Sequence, residues 1–214
     1  MIDAERFAVF LASMEDPCSE GLKRLELEAL ADQIPIIRKD TQRLLKVLLT
    51  MSKPERILEI GTGVGFSAMF FAEHAAGLKD LVTIENYPPR IAKAKALFAK
   101  SKAPVRLIEG DAAEVLPSLP DQRFDFVLMD GAKGQYPLLL PEVKRCMAKG
   151  AVLFSDNVLQ DGDVLESRFA VTRRDRTIHE RMREYLLTLM RDPDFDTTIL
   201  PVGDGVAISV LKEP

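Results

Sequence analysis

The sequence predicts an α/β protein whose core is a Rossmann-like, doubly wound sheet, mostly parallel and ending in a C-terminal antiparallel hairpin. From Arg56 onward, short apolar runs alternate with helical segments, which is typical of parallel βαβ units with helices on both faces. Two further apolar runs flank Asp204 and Gly205, a turn signal between antiparallel strands. The residues before Arg56 have helical spacing instead, so N-terminal helices are expected to precede the sheet.

The N-terminal part of the chain, residues 1–52, is expected to be helical. Apolar residues recur at helical spacing within residues 3–33, and the Ile34-Pro35 pair ends that stretch. A second helix is expected from about residue 41 to residue 51, with Asp40 in position to be its N-cap.

The core, residues 53–214, is expected to contain five parallel strands, each followed by a helix or a helical turn. The carboxyl ends of parallel strands meet at one edge of a sheet, so polar residues that end these strands are expected to converge on a ligand. The strands are RILEI, LVTIE, VRLIE, FDFVLMD and AVLFSDN, and TTILPVG with GVAISVLK forms the terminal hairpin.

Length and composition limit the class of protein. The 214 residues, 47% of them hydrophobic, suit one domain spanning residues 1–214. No apolar run approaches the roughly 18 residues of a membrane span, and no basic segment precedes the first apolar residues, so a cytoplasmic protein without membrane attachment is expected. The net charge of −4 argues against coating by nucleic acid but leaves room for a local basic patch.

A glycine-rich loop follows the first strand, where Glu59 precedes Gly61, Gly63 and Gly65. Glycines let the backbone turn tightly and approach a ligand where a Cβ would clash. The G-x-G-x-G spacing differs from the G-x-G-x-x-G of dinucleotide-binding proteins. The preceding acid favours a ligand with a cationic amino-acid group over a pyrophosphate.

Acidic residues also end the next two strands. Glu85 is placed to accept hydrogen bonds from both hydroxyls of a ribose, and Asp111 is placed to face an adenine ring. This succession resembles the class I S-adenosylmethionine-dependent methyltransferases over residues 56–211. The resemblance implies a seven-stranded methyltransferase fold with S-adenosylmethionine as cofactor. It also implies that Glu59 and the glycines hold the methionine part, Glu85 the ribose, and Asp111 with Ala112 the adenine.

The fourth and fifth strands end in a second polar group. Asp130 is followed three residues later by Lys133, and Asp156 is followed directly by Asn157. Two carboxylates and an amide oxygen are hard ligands that suit Mg²⁺. In methyl transfer from a sulfonium, such a cation would lower the pKa of a substrate hydroxyl and orient two adjacent oxygens, and a neutral lysine could accept the proton.

The D-x-x-K and D-N motifs, in this order, resemble the metal-dependent O-methyltransferases of the catechol and caffeoyl-coenzyme A type. The resemblance implies that Asp130, Asp156 and Asn157 hold a divalent cation and that Lys133 is the catalytic base. Asp130 then belongs to the catalytic and cofactor-binding groups as well. Two further cofactor contacts are implied by the same resemblance, Ser67 after the glycine loop and Ile36 before the second helix.

An arginine-rich segment, residues 168–183, contains six arginines and two acidic residues in a chain of net charge −4. Arginine clusters bind phosphates through planar, bidentate donors, so the segment indicates a polyanion site. The residues expected to contact the polyanion are Arg173, Arg174 and Arg176, in a loop before a helix, and Arg38 with Lys39, before the second helix. Arg181 and Arg183 are interpreted as the solvated face of a helix.

Segments spread along the chain resemble the bacterial tRNA 5-hydroxyuridine methyltransferases: IPIIRKDTQRLL, MDGAKGQY, SDNVL, RDRTIHERMREYL and PVGDGVAIS. The resemblance implies methylation of 5-hydroxyuridine at wobble position 34 to 5-methoxyuridine, with the tRNA anticodon stem-loop as partner. Two alternatives remain open, an O-methyltransferase of small catechol-type molecules and a binding module that has lost activity. The N-terminal helices could cover the active site or pair with a second subunit, and we expect a homodimer.

Overall fold

The computed structural model of the chain describes residues 6, 9–11, 13–14 and 18–213. Residues 3–5, 7–8, 12 and 15–17 of the helical stretch expected over residues 3–33 lie outside the described residues, as do residues 1–2 and residue 214.

Within residues 18–213, two helices precede the sheet, α1 (Glu20–Ala31) and α2 (Lys39–Ser52). The hydroxyl of Ser19 caps α1 by accepting a hydrogen bond from the backbone N–H of Leu22, at 3.2 Å. The prediction that Asp40 caps α2 is wrong, since the N-cap position is Arg38. The Asp40 carboxylate accepts a hydrogen bond from the N–H of Gly203, at 2.8 Å, and thereby ties the first turn of α2 to the C-terminal hairpin.

The sheet has seven strands in the order β3-β2-β1-β4-β5-β7-β6. The pairings among β1 to β5 are parallel, whereas β7 runs antiparallel to both β5 and β6, which confirms the predicted fold class. The strands are β1 (Arg56–Ile60), β2 (Asp80–Glu85), β3 (Val105–Glu109), β4 (Phe124–Met129), β5 (Met147–Ser155), β6 (Phe195–Leu200) and β7 (Val206–Leu211).

The helices of the core connect these strands across both faces of the sheet. They are α3 (Phe66–His74), α4 (Pro88–Phe98), α5 (Ala112–Val115), α6 (Tyr136–Cys146) and α7 (Arg176–Arg191). Short 3₁₀ turns cover Leu116–Ser118, Lys133–Gln135 and Gln160–Leu165.

The two faces of the sheet bury separate hydrophobic clusters, as period-two alternation along a strand requires. On β1, Leu58 and Ile60 pack in one cluster, which contains Tyr136 of α6, and Ile57 packs in the other, which contains Phe71 of α3. Both clusters lie below the carboxyl ends of the parallel strands, so the loops above them rest on a rigid base. Among the helices that the structure describes, none combines the length and the apolar character needed to cross a membrane.

Candidate active site

A cavity of about 530 Å³ opens above the carboxyl ends of the parallel strands. Its walls come from the loops after β1, β2, β4 and β5 and from the segment before α2. The predicted site residues that line it are Ile36, Arg38, Gly61, Gly63, Ser67, Glu85, Ala112, Asp130, Lys133, Asp156 and Asn157. The predicted residues outside its lining are Glu59, Gly65, Asp111, Lys39, Arg173, Arg174 and Arg176.

The glycine loop brings the end of β1 against the end of β4. Gly61 has φ +98°, and a Cβ there would lie 2.5 Å from the carbonyl oxygen of Asp130. Gly65, at φ +91°, leads into α3, and a Cβ there would lie 2.9 Å from the Phe98 ring. At Gly61 and Gly65, a larger residue would therefore clash with a neighbouring group and would also adopt an unfavourable backbone conformation.

Glu59 lies beneath the glycine loop and is fully buried. Its carboxylate accepts hydrogen bonds from the hydroxyls of Ser67 and Thr83, the latter at 2.5 Å. Burial raises the pKa of Glu59 to about 8, and the two hydroxyls oppose that increase only in part. The structure thus gives Glu59 an internal position under the cavity floor, where it fixes Ser67 at the surface of the cavity.

Glu85 is held at the end of β2 by three backbone N–H groups. Its two carboxylate oxygens accept hydrogen bonds from Gly63 at 2.9 Å, Asn86 at 3.1 Å and Tyr87 at 3.0 Å. The carboxylate is therefore fixed at the cavity wall before any ligand arrives, as the predicted contact with a ribose requires.

Asp111 caps α5 by accepting a hydrogen bond from the N–H of Ala113, at 2.9 Å. It also accepts one from the side chain of Gln135, at 3.1 Å. These two hydrogen bonds, the first being the stronger influence, hold the pKa of Asp111 below its usual value. Gln135 itself lines the cavity, although the sequence analysis did not select it. The Lys-Gly-Gln turn after Asp130 was its only local signal.

Asp130 and Asp156 lie side by side because β4 and β5 are adjacent and parallel. Met129 pairs with Ser155, and the N–H of Asp156 donates to the carbonyl of Met129 at 3.0 Å. The Lys133 ammonium donates to Asp130 Oδ1 at 2.9 Å and to the hydroxyl oxygen of Tyr136 at 3.0 Å. The predicted lysine and both predicted carboxylates therefore meet at one end of the cavity.

The charge balance at this end favours a cation. Burial raises the pKa of Asp156 to about 7, and the neighbouring Asp130 raises it further, while the N–H of Asn157 and the Lys133 ammonium act in the opposite direction. In the described part of the chain, no group of three or more His, Cys, Asp and Glu side chains could hold a metal ion. Two carboxylates and the Asn157 amide nevertheless form a donor set that fits a hard divalent cation.

The arginine-rich segment packs beside this end of the cavity. Arg181 donates to the carbonyl of Gly134 at 2.9 Å, and Arg183 donates to the carbonyl of Val164 at 3.0 Å. Both arginines are exposed, as expected for the solvated face of a helix, and each also binds a neighbouring loop. Arg168 forms an ion pair with Glu180 at 2.7 Å.

The remaining arginines of the segment, Arg173 and Arg174, are exposed, and Arg176 is half-buried. Arg176 is the first residue of α7, so the prediction that it lies in the preceding loop is wrong. The helix begins there because the loop turns at Asp175, whose carbonyl accepts the N–H of His179.

Arg38 and Lys39, the second basic pair, are both engaged in ion pairs. Arg38 lies at the cavity wall and donates to Asp161 at 3.0 Å, and Lys39 pairs with Glu26 of α1. Asp204, from the β6–β7 turn, also lines the cavity near Asp156. Sequence analysis explained that aspartate by hairpin geometry alone and missed its position at the site.

The chain matches known proteins along most of its length. A family model described as O-methyltransferase matches residues 11–212. The catechol O-methyltransferase of Mycobacterium tuberculosis is 30% identical over 192 residues, which is 85% of this chain and 84% of that protein.

Solved structures also match the fold along nearly the whole chain. A provisionally assigned caffeoyl-CoA O-methyltransferase of Staphylococcus aureus has a TM-score of 0.84 at 28% identity and covers 96% of this chain and 98% of its own. The SAH-bound methyltransferase PaMTH1 of Podospora anserina has a TM-score of 0.85 at 24% identity, with coverage of 98% and 95%. The chain therefore belongs to the S-adenosylmethionine-dependent O-methyltransferase family of the catechol and caffeoyl-coenzyme A type.

Proposed function

We propose that this enzyme methylates the C5 oxygen of 5-hydroxyuridine at wobble position 34 of tRNA, giving 5-methoxyuridine. The observation that supports it best is the position of the arginine-rich helix α7. Arg181 of this helix binds the loop that contains Lys133, so a surface suited to phosphates adjoins the predicted catalytic end of the cavity.

The cofactor in this proposal is S-adenosylmethionine. The preformed carboxylate of Glu85 matches a ribose, and the close-packed glycine loop leaves room for the methionine part above Gly61 and Gly63. The segment at Ile36 supplies the opposite wall. The Glu59 carboxylate does not reach the cavity surface, so Glu59 would not touch the cofactor. It would instead position Ser67, whose hydroxyl it binds.

A divalent cation is the second component. Asp130, Asp156 and Asn157 would hold it, and its positive charge would favour loss of the proton from a substrate hydroxyl. Two neighbouring carboxylates, one of them almost fully buried, share the single ammonium of Lys133, and this excess of negative charge makes the donor set suitable.

Lys133 would accept the proton of the substrate hydroxyl on its Nζ atom when the lysine is neutral. Asp130 and Tyr136 orient this nitrogen, at 2.9 Å and 3.0 Å. A bond then forms between the substrate oxygen and the methyl carbon as the bond from that carbon to the sulfonium breaks. The displacement is in line and leaves S-adenosylhomocysteine.

A 5-hydroxyuridine base suits this arrangement because its C5 hydroxyl and C4 carbonyl present two adjacent oxygens. A wobble base lies in a loop and is already accessible, so little unpairing is needed to place it in the cavity. Arg173 and Arg174 are exposed in the turn just before α7 and are available to contact phosphates of the anticodon stem.

Methylation of small catechol-type molecules is the second candidate, and the similarity to a protein named catechol O-methyltransferase favours it. Catechols also present two adjacent oxygens, so the cation and Lys133 would act in the same way. This candidate leaves the exposed arginines Arg173 and Arg174 without a role.

Self-association is also proposed, through the outer face of the N-terminal helices. Leu27 and Leu30 of α1 and Val47 and Met51 of α2 are all more than half exposed. Burial of these four side chains against a second copy would remove them from water. Light scattering at several protein concentrations measures the mass, and a monomer throughout would contradict this part of the proposal.

The decisive experiment is methyl transfer from labelled S-adenosylmethionine to tRNA that contains 5-hydroxyuridine or to catechol, with Mg²⁺ or with EDTA. We expect label in the tRNA that EDTA abolishes. Lys133→Gln should remove the activity, and Lys149→Gln, at an exposed lysine on β5, is the matched control. Label only in catechol would overturn the tRNA assignment, and label in neither would favour a binding module.

A further inference from the structure

A second basic region lies in residues 90–106, on α4 and the chain that follows it. This stretch contains six basic residues and no acidic residue. Because the whole chain has a net charge of −4, the remainder carries −10. The local charge of +6 exceeds the +4 of the arginine-rich segment. We call the region the α4 basic face; it consists of Arg90, Lys93, Lys95, Lys100, Lys102 and Arg106.

The α4 basic face begins at the active-site cavity and extends away from it. Arg90 lines that cavity. A helix rises by 1.5 Å per residue, so Lys100 lies roughly 15 Å further along. Lys93 and Lys100 border a second cavity of about 530 Å³, and Val64 of the glycine loop lines both cavities.

Much of this positive charge is not neutralised within the protein. Lys93 pairs with Asp32 at 2.6 Å, and Lys95 pairs with Glu109. Lys100, Lys102 and Arg106 are exposed and have no ion pair within the part of the chain that the structure describes. In the arginine-rich segment, by contrast, four of the six arginines bind a carboxylate or a carbonyl of the protein itself.

The two basic regions flank the active site from opposite sides. Helix α4 connects β2 to the edge strand β3, and α7 leads into the opposite edge strand, β6. The cavity lies between them, above β1, β4 and β5. A small substrate enclosed by that cavity would reach no further along the α4 basic face than Arg90, whereas a folded RNA that extends from its target nucleotide could reach both regions.

We propose that the α4 basic face binds the phosphate backbone of the RNA substrate, as a second contact surface separate from the arginine-rich segment. This inference rests on the proposed function. An anionic membrane is a poorer partner, because the large apolar side chains of α4, such as Ile91 and Phe98, are buried or half-buried. Closely spaced, unpaired cations without exposed large apolar residues suit phosphates that remain in water.

The test compares two triple variants that remove the same charge. Lys100→Gln, Lys102→Gln and Arg106→Gln alter the α4 basic face. Three other exposed cations provide the matched control, with the substitutions Lys53→Gln, Lys149→Gln and Arg191→Gln. Thermal unfolding verifies that both triple variants fold. The probe is an anticodon stem-loop RNA with 5-hydroxyuridine, whose Kd is measured at several salt concentrations.

We expect the α4 triple variant to bind the stem-loop roughly tenfold or more weakly at low salt. The slope of log Kd against log salt should fall by about 2 for three lost phosphate contacts. The control triple should keep the wild-type slope and Kd. Equal changes in both variants, or an unchanged slope in the α4 triple, would overturn the inference.

Two further outcomes separate this inference from the proposed function. Wild-type protein that binds the stem-loop through the α4 basic face without methylating it would refute the proposed function and retain the inference. Methylation of the stem-loop, with an unchanged slope of log Kd against log salt in the α4 triple variant, would support the proposed function and overturn the inference. Binding of phosphatidylserine vesicles that the α4 triple loses, with no binding of RNA, would identify a membrane as the partner and overturn the inference.

Discussion

At the scale of single residues, the site depends on how Lys133 is held. Its ammonium contacts Asp130 and Tyr136, and the Tyr136 hydroxyl in turn donates to the carbonyl of Met129 at 2.7 Å. Tyr136 is fully buried and contributes its ring to the hydrophobic cluster of α6. The tyrosine therefore joins the core to the lysine, and it acts as a positioning residue for the proton acceptor.

Tyr136→Phe should lower kcat for methyl transfer about fivefold, because the lysine loses one of its two fixed contacts, worth about 1 kcal/mol. The KM for S-adenosylmethionine should stay the same, since the ring still fills its place. Steady-state kinetics measures both constants. An unchanged kcat would show that Asp130 alone orients the lysine.

Glu59 predicts a pH dependence of stability. Its pKa is about 8 in the folded protein against 4.5 for an unperturbed glutamate, so between these values the unfolded chain loses a proton that the folded protein keeps. This residue therefore lowers the free energy of unfolding as pH rises through that window, by an amount on the order of 5 kcal/mol over the whole window.

Glu59→Gln is the corresponding variant, since glutamine has a similar shape and does not titrate. Urea unfolding at pH 5, 6, 7 and 8 (about one unit apart, to span the window) should show a smaller fall in stability for the variant than for the wild type. If the free energy of unfolding varied with pH in the same way in the variant and in the wild type, Glu59 would not be protonated in the folded protein.

At the scale of elements, the glycine loop is a contact between two strand ends. A Cβ at Gly61 would meet the Asp130 carbonyl at 2.5 Å, whereas a Cβ at Gly63 would have no atom within 4 Å. Both residues have positive φ. A substitution at Gly63 therefore adds only unfavourable backbone conformation, whereas a substitution at Gly61 adds a steric clash as well.

Gly61→Ala should destabilise the protein by several kcal/mol, because either β1 or β4 must move to relieve the clash. Gly63→Ala serves as the control and should cost roughly 1 kcal/mol, the usual cost of a left-handed conformation. Chemical denaturation gives both values. Similar losses in the two variants would mean that the loop yields without strain.

At the scale of the whole molecule, binding of a divalent cation should stabilise the fold. The cation would bind the native protein only, and it would offset the repulsion between Asp130 and Asp156. We expect millimolar Mg²⁺ to raise the Tm of the wild type and EDTA to reverse the increase. Asp156→Asn should lose the response, and an equal shift in the variant would place the cation elsewhere.

The distribution of charge over the molecule predicts how RNA binds. Replacing Arg173, Arg174 and Arg176 with glutamine should weaken tRNA binding and lower its salt dependence, because Arg173 and Arg174 are exposed and Arg176 is half-exposed, so each lost charge can remove a phosphate contact. Filter binding at several salt concentrations provides the measurement. Unchanged affinity would remove the arginine-rich segment from the proposed interface and leave the α4 basic face to be judged separately.

The sequence by itself determined the order of strands and helices and the residues at the strand ends. Alternation of apolar runs is a local property, and the rule that parallel strands end at one edge of the sheet is general. Glu85, Asp130, Lys133 and Asp156 could therefore be assigned to one site before any coordinates were known, and the structure brings them to one cavity.

Only the tertiary structure decided which residues support that site. Asp40 binds Gly203, which is 163 residues away in the chain, and Arg181 binds Gly134, 47 residues away. Glu59 accepts a hydrogen bond from Thr83, 24 residues away, and the Tyr136 hydroxyl contacts the carbonyl of Asp156, 20 residues away. Contacts of this kind depend on how distant segments pack in three dimensions, and no local spacing encodes them.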